Sequence, residues 1–142
     1  MNHIQVALVQ ASFEQVKPIA PIAAKIFYGH LFEIDPTLRN LFTGDMVRQG
    51  AMLMSMLGKA VAGLSTPETI VPTVKLLGAR HVGYGVRDHH YHSVGVALLW
   101  TLEQGLGDAF TEDVKLAWTA AYQLLSGVMQ EGARETAVAV AA

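Results

Sequence analysis

Apolar residues recur at helical spacing along nearly the whole chain. Intervals of three and four residues separate them in most segments, whereas strict two-residue alternation is nearly confined to the closing AVAVAA, which is too short to build a sheet. Glycine, proline and polar residues interrupt the pattern at five places: Asp35-Pro36, TGD at 43–45, Ser65-Thr66-Pro67, GYGVRD at 83–88 and GLGD at 105–108. The pattern therefore predicts an all-α domain of about six helical blocks.

The segment 111–131 is the clearest single helix. It opens with a threonine that suits an N-cap, and Glu112 and Asp113 lie in the first turn, where acids complement the helix dipole. The final residues, about 134–142, are expected to form a flexible tail. Since no internal repeat or linker appears, we predict a single domain over residues 1–142.

Composition narrows the class of protein. Of the 142 residues, 51% are hydrophobic and 15% are charged, and the formal net charge of -2 at pH 7 gives no reason to expect a nucleic-acid partner. The chain contains no cysteine, so a transition metal would need histidine, carboxylate, methionine or tyrosine ligands. We find no secretory leader and no apolar run of bilayer length, so we expect a cytoplasmic protein without a membrane partner.

One histidine lies on an apolar helical face. Between residues 67 and 82, one stripe carries Ile70, Val74, Leu77 and His81. The imidazole of His81 is therefore expected to point inward. A core histidine bonded to a backbone carbonyl is the plain alternative to a metal ligand.

Three other helical blocks each turn one polar group toward apolar neighbours. These groups are Tyr28, Gln49 and Tyr91, and each alone is compatible with an ordinary core position. Large apolar residues accompany them: Phe27, Phe42, Leu53, Met54, Met56, Leu57, Val86 and Leu98. Together they suit a pocket for a flat hydrophobic cofactor such as haem, which a single imidazole can anchor.

Four segments carry a resemblance to a known family. They are FYGHLFEIDPTLRNLF at 27–42, VRQGAMLMSMLG at 47–58, LGARHVGYGVRDHHYHSVG at 77–95 and LGDAFTEDVKLAWTAAYQLL at 106–125. In combination and order they resemble the globins, and within them the bacterial single-domain globins related to the haem domain of flavohaemoglobins. The resemblance covers most of the chain and implies a globin fold of about six to eight helices around a pocket for haem b.

The same resemblance implies a role for individual residues. His81 corresponds to the proximal ligand of the haem iron, Tyr28 and Gln49 to the distal hydrogen-bonding pair, and Leu53 to the leucine over the iron. Four more residues are expected to contact the cofactor: Phe42, Val86, Tyr91 and Arg80. Arg80 and Lys75 are candidates for the haem propionates, although solvent-exposed cations are an equal alternative.

One position departs from the flavohaemoglobin pattern. That pattern places a glutamate fifteen residues after the tryptophan of the last helix, where it hydrogen-bonds the proximal imidazole; here the position is Ala133, flanked by Glu131 and Glu135. A carboxylate partner would make the iron more electron-rich, so its loss favours gas binding over peroxidase-like chemistry.

A second histidine-rich stretch precedes the helix after His81. It contains Asp88, His89, His90 and His92. A second metal site is conceivable there, but adjacent histidines in a loop do not define a coordination geometry. We interpret the stretch as a solvated connector.

The function implied by the resemblance is reversible, high-affinity binding of O2, and also of NO and CO, at a pentacoordinate-type iron held by His81. Binding, scavenging or sensing of O2 are the expected uses. The alternative is an NO dioxygenase, which would depend on a separate reductase because the chain contains no flavin or nicotinamide domain. A haem-free helical interaction module is a third possibility. We expect a monomer or a homodimer.

Overall fold

Six α-helices run through the chain in the computed structural model, which describes residues 1–141. They are α1 His3–Val16, α2 Ala20–Ile34, α3 Met46–Gly63, α4 Pro67–Gly83, α5 Asp88–Leu106 and α6 Glu112–Ala141. Three short 3-10 segments lie between them: Lys17–Ile19, Pro36–Leu41 and Gly107–Ala109. No strand occurs within residues 1–141. The all-α prediction is confirmed, and each predicted interruption falls at or beside a helix end.

Short polar side chains cap the first turns of α1, α3 and α6, at Asn2, Asp45 and Thr111. The carboxylate of Asp45 accepts a hydrogen bond from the amide of Val47 at 2.9 Å and so caps α3. The hydroxyl of Thr111 accepts one from the amide of Val114 at 3.3 Å, as predicted for the start of α6. Each bond satisfies an amide that has no partner within its own helix.

Helix α6 is longer than the segment predicted from the pattern. It continues to Ala141, so residues 134–141 are helical, and residue 142 lies outside the described residues. Four of the ten residues of GARETAVAVA are alanine, which has the highest helix propensity. Flexibility of this end of the chain stays a prediction.

Two apolar clusters fill the interior. The first centres on Trp118 of α6, whose indole nitrogen donates to the hydroxyl of Ser12 at 2.8 Å, so that its buried polar atom is satisfied. The second cluster lies between α2, α5 and the segment after α2. Its buried members are Phe27, Tyr28, Leu31, Leu38 and Ala97. Most of the residues that we expect on the distal side of a cofactor belong to or pack against this second cluster.

Helices α4 and α6 approach each other backbone to backbone. A Cβ added at Gly78 would overlap the carbonyl of Met129, and one added at Gly132 would overlap the carbonyl of Lys75. Because only glycine fits these two contacts, α6 fixes the position of α4 and therefore of His81. In the part of the chain that the structure describes, no helix is both long and apolar enough to cross a bilayer.

Candidate functional site

Tyr28 lies in an aromatic cluster on the inner side of α2. It is 7% exposed, and its ring centroid is 5.0 Å from that of Phe27, 5.2 Å from that of Phe42 and 5.9 Å from that of Phe32. Burial raises the pKa of the Tyr28 phenol above its ordinary value, although a hydrogen bond from Gln49 opposes that shift. At neutral pH the phenol therefore keeps its proton.

Helix α3 brings an amide to this phenol. Nε2 of the half-buried Gln49 donates to the oxygen of Tyr28 at 3.1 Å. The phenol accepts in this bond, so its own proton remains for a second partner. Leu53, one turn further along α3, packs against the same apolar cluster, as does Phe42. Four of the predicted site residues thus lie around one cluster.

His81 is held by its own helix. Its Nδ1 is 2.6 Å from the carbonyl oxygen of Leu77, and the imidazole is half-buried. A carbonyl can only accept, so Nδ1 carries the proton and Nε2 keeps a lone pair that can bind a metal. The ring of Tyr84 lies edge-on to the imidazole with centroids 5.7 Å apart. Tyr84 was missed by sequence reasoning, because it follows the end of α4 and lies off the apolar stripe.

The two glutamates near Ala133 bind a lysine instead of the histidine. Lys75 Nζ is 3.2 Å from a carboxylate oxygen of Glu131 and 3.1 Å from one of Glu135. These contacts raise the pKa of Lys75, with Glu135 the larger influence. The partner of the His81 imidazole is therefore a neutral carbonyl, and Lys75 lies at the α4–α6 contact.

The remaining predicted contacts lie around the turn between α4 and α5. The amide of Val86 donates to the carbonyl of His81 at 3.1 Å and so closes the end of α4. Tyr91 is buried in α5, and the hydroxyl of Tyr122 donates to its backbone carbonyl at 2.5 Å. Burial raises the pKa of Tyr91. Arg80 is exposed.

A hollow of about 670 Å³ lies between α2 and α3, behind Tyr28. Its lining is mostly apolar and includes Ala24, Phe32, Gly50 and Met54. Of the residues predicted for the cofactor pocket, Tyr28 and Met54 line this hollow. Gln49 and Leu53 lie on a neighbouring face of α3 and do not line the hollow. We place the candidate site at the face of α3 that carries Gln49 and Leu53, because the amide of Gln49 meets the phenol of Tyr28 there.

The sequence-based interpretation of the histidine-rich stretch as a solvated connector is wrong. Its residues form the first turns of α5, and His90 is only 7% exposed. The amide of Arg87 donates to Nδ1 of His90 at 2.9 Å, so this imidazole helps to begin the helix. His89 and His92 are exposed, as predicted.

These observations describe an all-helical protein with a half-buried histidine near the end of α4 and a hydrogen-bonded Tyr28–Gln49 pair between α2 and α3. The globin family pattern matches residues 25–129, and the chain belongs to the globin family of haem proteins.

Two relatives illustrate the range of this similarity. The chain is 30% identical over 138 residues to a flavohaemoprotein of Oceanobacillus iheyensis, a match that covers 90% of this chain and 34% of that protein. It is 28% identical over 151 residues to leghaemoglobin-1 of Lupinus luteus, which covers 96% of this chain and 98% of the plant protein. The chain therefore spans about a third of the flavohaemoprotein and nearly all of the leghaemoglobin.

A solved structure has a similar fold over the full length. It is an engineered carbene transferase, also described as a proposed nitric oxide dioxygenase, from Rhodothermus marinus. It superposes with a TM-score of 0.88 at 25% identity and covers 100% of this chain and 99% of its own.

Proposed function

We propose that the chain binds haem b through Nε2 of His81 and reversibly binds O2 with high affinity, and also NO and CO, for O2 binding, scavenging or sensing. The observation that carries this proposal is the Gln49–Tyr28 hydrogen bond inside an aromatic cluster. A protonated phenol in an apolar pocket, oriented by an amide, suits a small ligand that accepts one hydrogen bond.

The residues present fit a haem. The Nδ1 proton of His81 is taken by Leu77, which leaves Nε2 for the iron, as in other proteins whose metal-binding histidine donates through its second nitrogen. The rings of Phe27, Phe32 and Phe42 give an apolar surface against which a porphyrin can pack. We assign Phe42, Val86, Tyr91 and Arg80 to cofactor contacts, with Arg80 at a propionate.

Haem, when bound, supplies an iron that takes a diatomic gas. The protein would orient the bound gas and discriminate between O2 and CO. Tyr28 donates a hydrogen bond to O2, worth about 1 kcal/mol and more where charge is involved, whereas CO gains little from it. Gln49 holds the phenol in position, and Leu53 and Phe42 exclude water. These effects favour O2 over CO and slow its release.

Absorption spectra of the purified protein in the ferric, ferrous and CO-bound forms test this proposal. We expect haem spectra in all three forms, a ferrous iron without a sixth protein ligand, and O2 binding that nitrogen flushing reverses. Protein that stays colourless after addition of haemin would contradict the proposal and would favour a haem-free helical module.

A second candidate is NO dioxygenation, which the similarity to flavohaemoproteins and to the Rhodothermus marinus structure favours. A bound ferrous haem would supply one electron when NO and O2 combine to nitrate, so sustained turnover would require a reductase that returns one electron per cycle. NO consumption by the oxygenated protein, measured with and without an added flavin reductase and NADH, separates the two functions. Loss of one equivalent without turnover favours the gas binder, and sustained turnover with the reductase favours the enzyme.

A further inference from the structure

Three possible metal ligands from two distant parts of the sequence meet where α2 ends and α5 begins. Oδ2 of Asp35 is 3.9 Å from Nε2 of His90 and 4.0 Å from Nε2 of His89. All three ligand atoms lie within 4.8 Å of one another. We propose that Asp35, His89 and His90 form a binding site for a divalent transition metal, with Zn²⁺ as the best-suited ion. The site is independent of the proposed haem function.

The spacing of these atoms suits an ion better than direct contact. A separation of 3.9 Å is too long for a hydrogen bond, so the imidazole of His90 does not satisfy the carboxylate. With two sides of 3.9 and 4.0 Å and a third below 4.8 Å, an ion equidistant from the three atoms would lie about 2.5 Å or less from each. Zinc binds histidine nitrogen and carboxylate oxygen at about 2.0–2.2 Å, so shifts of a few tenths of an ångström complete the coordination.

Hydrogen bonds already orient the carboxylate of Asp35 for metal binding. Its Oδ1 accepts hydrogen bonds from the amide of Thr37 at 3.1 Å and from the hydroxyl of the same residue at 2.5 Å. These bonds leave Oδ2 directed at the two imidazoles. Hydrogen bonds of this kind hold metal-ligating carboxylates in established sites. The side chains of Asp35 and His90 are 17% and 9% exposed, so little rotamer freedom is left to lose on binding.

One hydrogen bond in the structure opposes metal binding. Nδ1 of His90 now accepts from the amide of Arg87, so the proton of the neutral ring is on Nε2. A metal at Nε2 moves that proton to Nδ1 and ends the bond to Arg87, whose exposed backbone turn can give its amide to water. The loss of one hydrogen bond lowers the affinity by about five- to tenfold and does not abolish binding.

Two neutral nitrogens and one carboxylate select the class of ion. This donor set suits zinc, nickel and copper in preference to magnesium or calcium, which take mainly oxygen ligands. His89 is 63% exposed, so the remaining coordination positions face water. A bound ion would cross-link the end of α2 to the start of α5 and would stabilise the fold in proportion to its free concentration.

Isothermal titration calorimetry with Zn²⁺ tests the site, using tag-free protein that has been treated with a chelator. We expect one equivalent to bind, and we expect Asp35→Asn and His89→Ala each to weaken it at least tenfold. Asp35→Asn keeps the side-chain shape, and His89 is exposed, so both variants should fold. His92→Ala is the matched control, since it removes an exposed histidine from the same helix, and it should leave the affinity unchanged.

The haem absorption spectrum, recorded during the same titration, separates this proposal from the haem assignment. An unchanged spectrum with one equivalent bound supports a separate site. Colourless protein that still binds one equivalent through Asp35 and His89 supports the site while the haem proposal fails. Absence of binding, or binding that Asp35→Asn and His89→Ala leave intact, would overturn the proposal.

Discussion

The two candidate sides of the haem pocket are built in different ways. On the distal side, Gln49 and Tyr28 come from separate helices and meet through their side chains. On the proximal side, His81 is held by the carbonyl of Leu77, one turn away in the same helix. The first arrangement depends on how α2 and α3 pack, whereas the second needs only that α4 be helical. A substitution on the distal side should therefore alter the binding of the gas, and one on the proximal side should alter the retention of haem.

The largest effect is expected where α4 contacts α6. Gly132→Ala places a Cβ against the backbone of Lys75 and should lower the free energy of unfolding by about 1–3 kcal/mol, because two backbones must separate. Urea unfolding measures this change in the free energy of unfolding. Gly127→Ala is the control on the same helix, since its Cβ meets nothing within 4 Å, and it should be neutral or stabilising by up to about 1 kcal/mol. Equal changes in the free energy of unfolding for the two variants would show that the close contact between α4 and α6 is not what destabilises Gly132→Ala.

On the distal side, Tyr28→Phe should raise the O2 dissociation rate by about tenfold or more, because the only hydrogen bond from the protein to O2 in our proposal is lost. Stopped-flow displacement of O2 by CO measures this rate. Tyr122→Phe removes the phenol that donates to the backbone carbonyl of Tyr91 and has no role in the proposed site, so it serves as the control, with a much smaller change expected. An unchanged rate in Tyr28→Phe would make the assignment of the distal tyrosine wrong.

Gln49→Leu should have a smaller effect than Tyr28→Phe, with the O2 dissociation rate rising about two- to fivefold. The amide orients the phenol, and the phenol can still donate when the amide is absent. The same stopped-flow measurement ranks the two variants. A larger effect from Gln49→Leu would reverse the roles that we propose and would make the amide the principal donor.

The smallest effect concerns pH. Burial raises the pKa of Tyr28, Tyr91 and Tyr122 above the ordinary phenol value, so the folded chain holds these protons more tightly than the unfolded chain does. Their contribution to the free energy of unfolding is therefore complete below about pH 10 and is lost as the pH rises further. We expect the O2 dissociation rate to be constant between about pH 6 and pH 9. A rise across that range would show that the distal donor titrates earlier.

Five of the interruptions between helices were predictable from sequence because apolar spacing and glycine or proline act locally, whereas the break at Lys17–Ile19 was not predicted. The same pattern placed Tyr28 and Gln49 on inward faces, although their hydrogen bond follows from the crossing of α2 and α3. The pairing of Lys75 with Glu131 and Glu135 was not predictable, because it depends on the register of α4 against α6. The meeting of Asp35 with His89 and His90 likewise depends on the packing of α2 against α5.

Removal of the His81 imidazole tests the central claim most directly. His81→Ala and the matched surface variant His92→Ala should be purified side by side and their absorption recorded after incubation with haemin. We predict that His92→Ala shows the haem and CO spectra of the unsubstituted protein. We predict that His81→Ala either fails to retain haem or shows a changed ferrous CO spectrum. An unchanged spectrum and unchanged haem retention in His81→Ala would contradict the account.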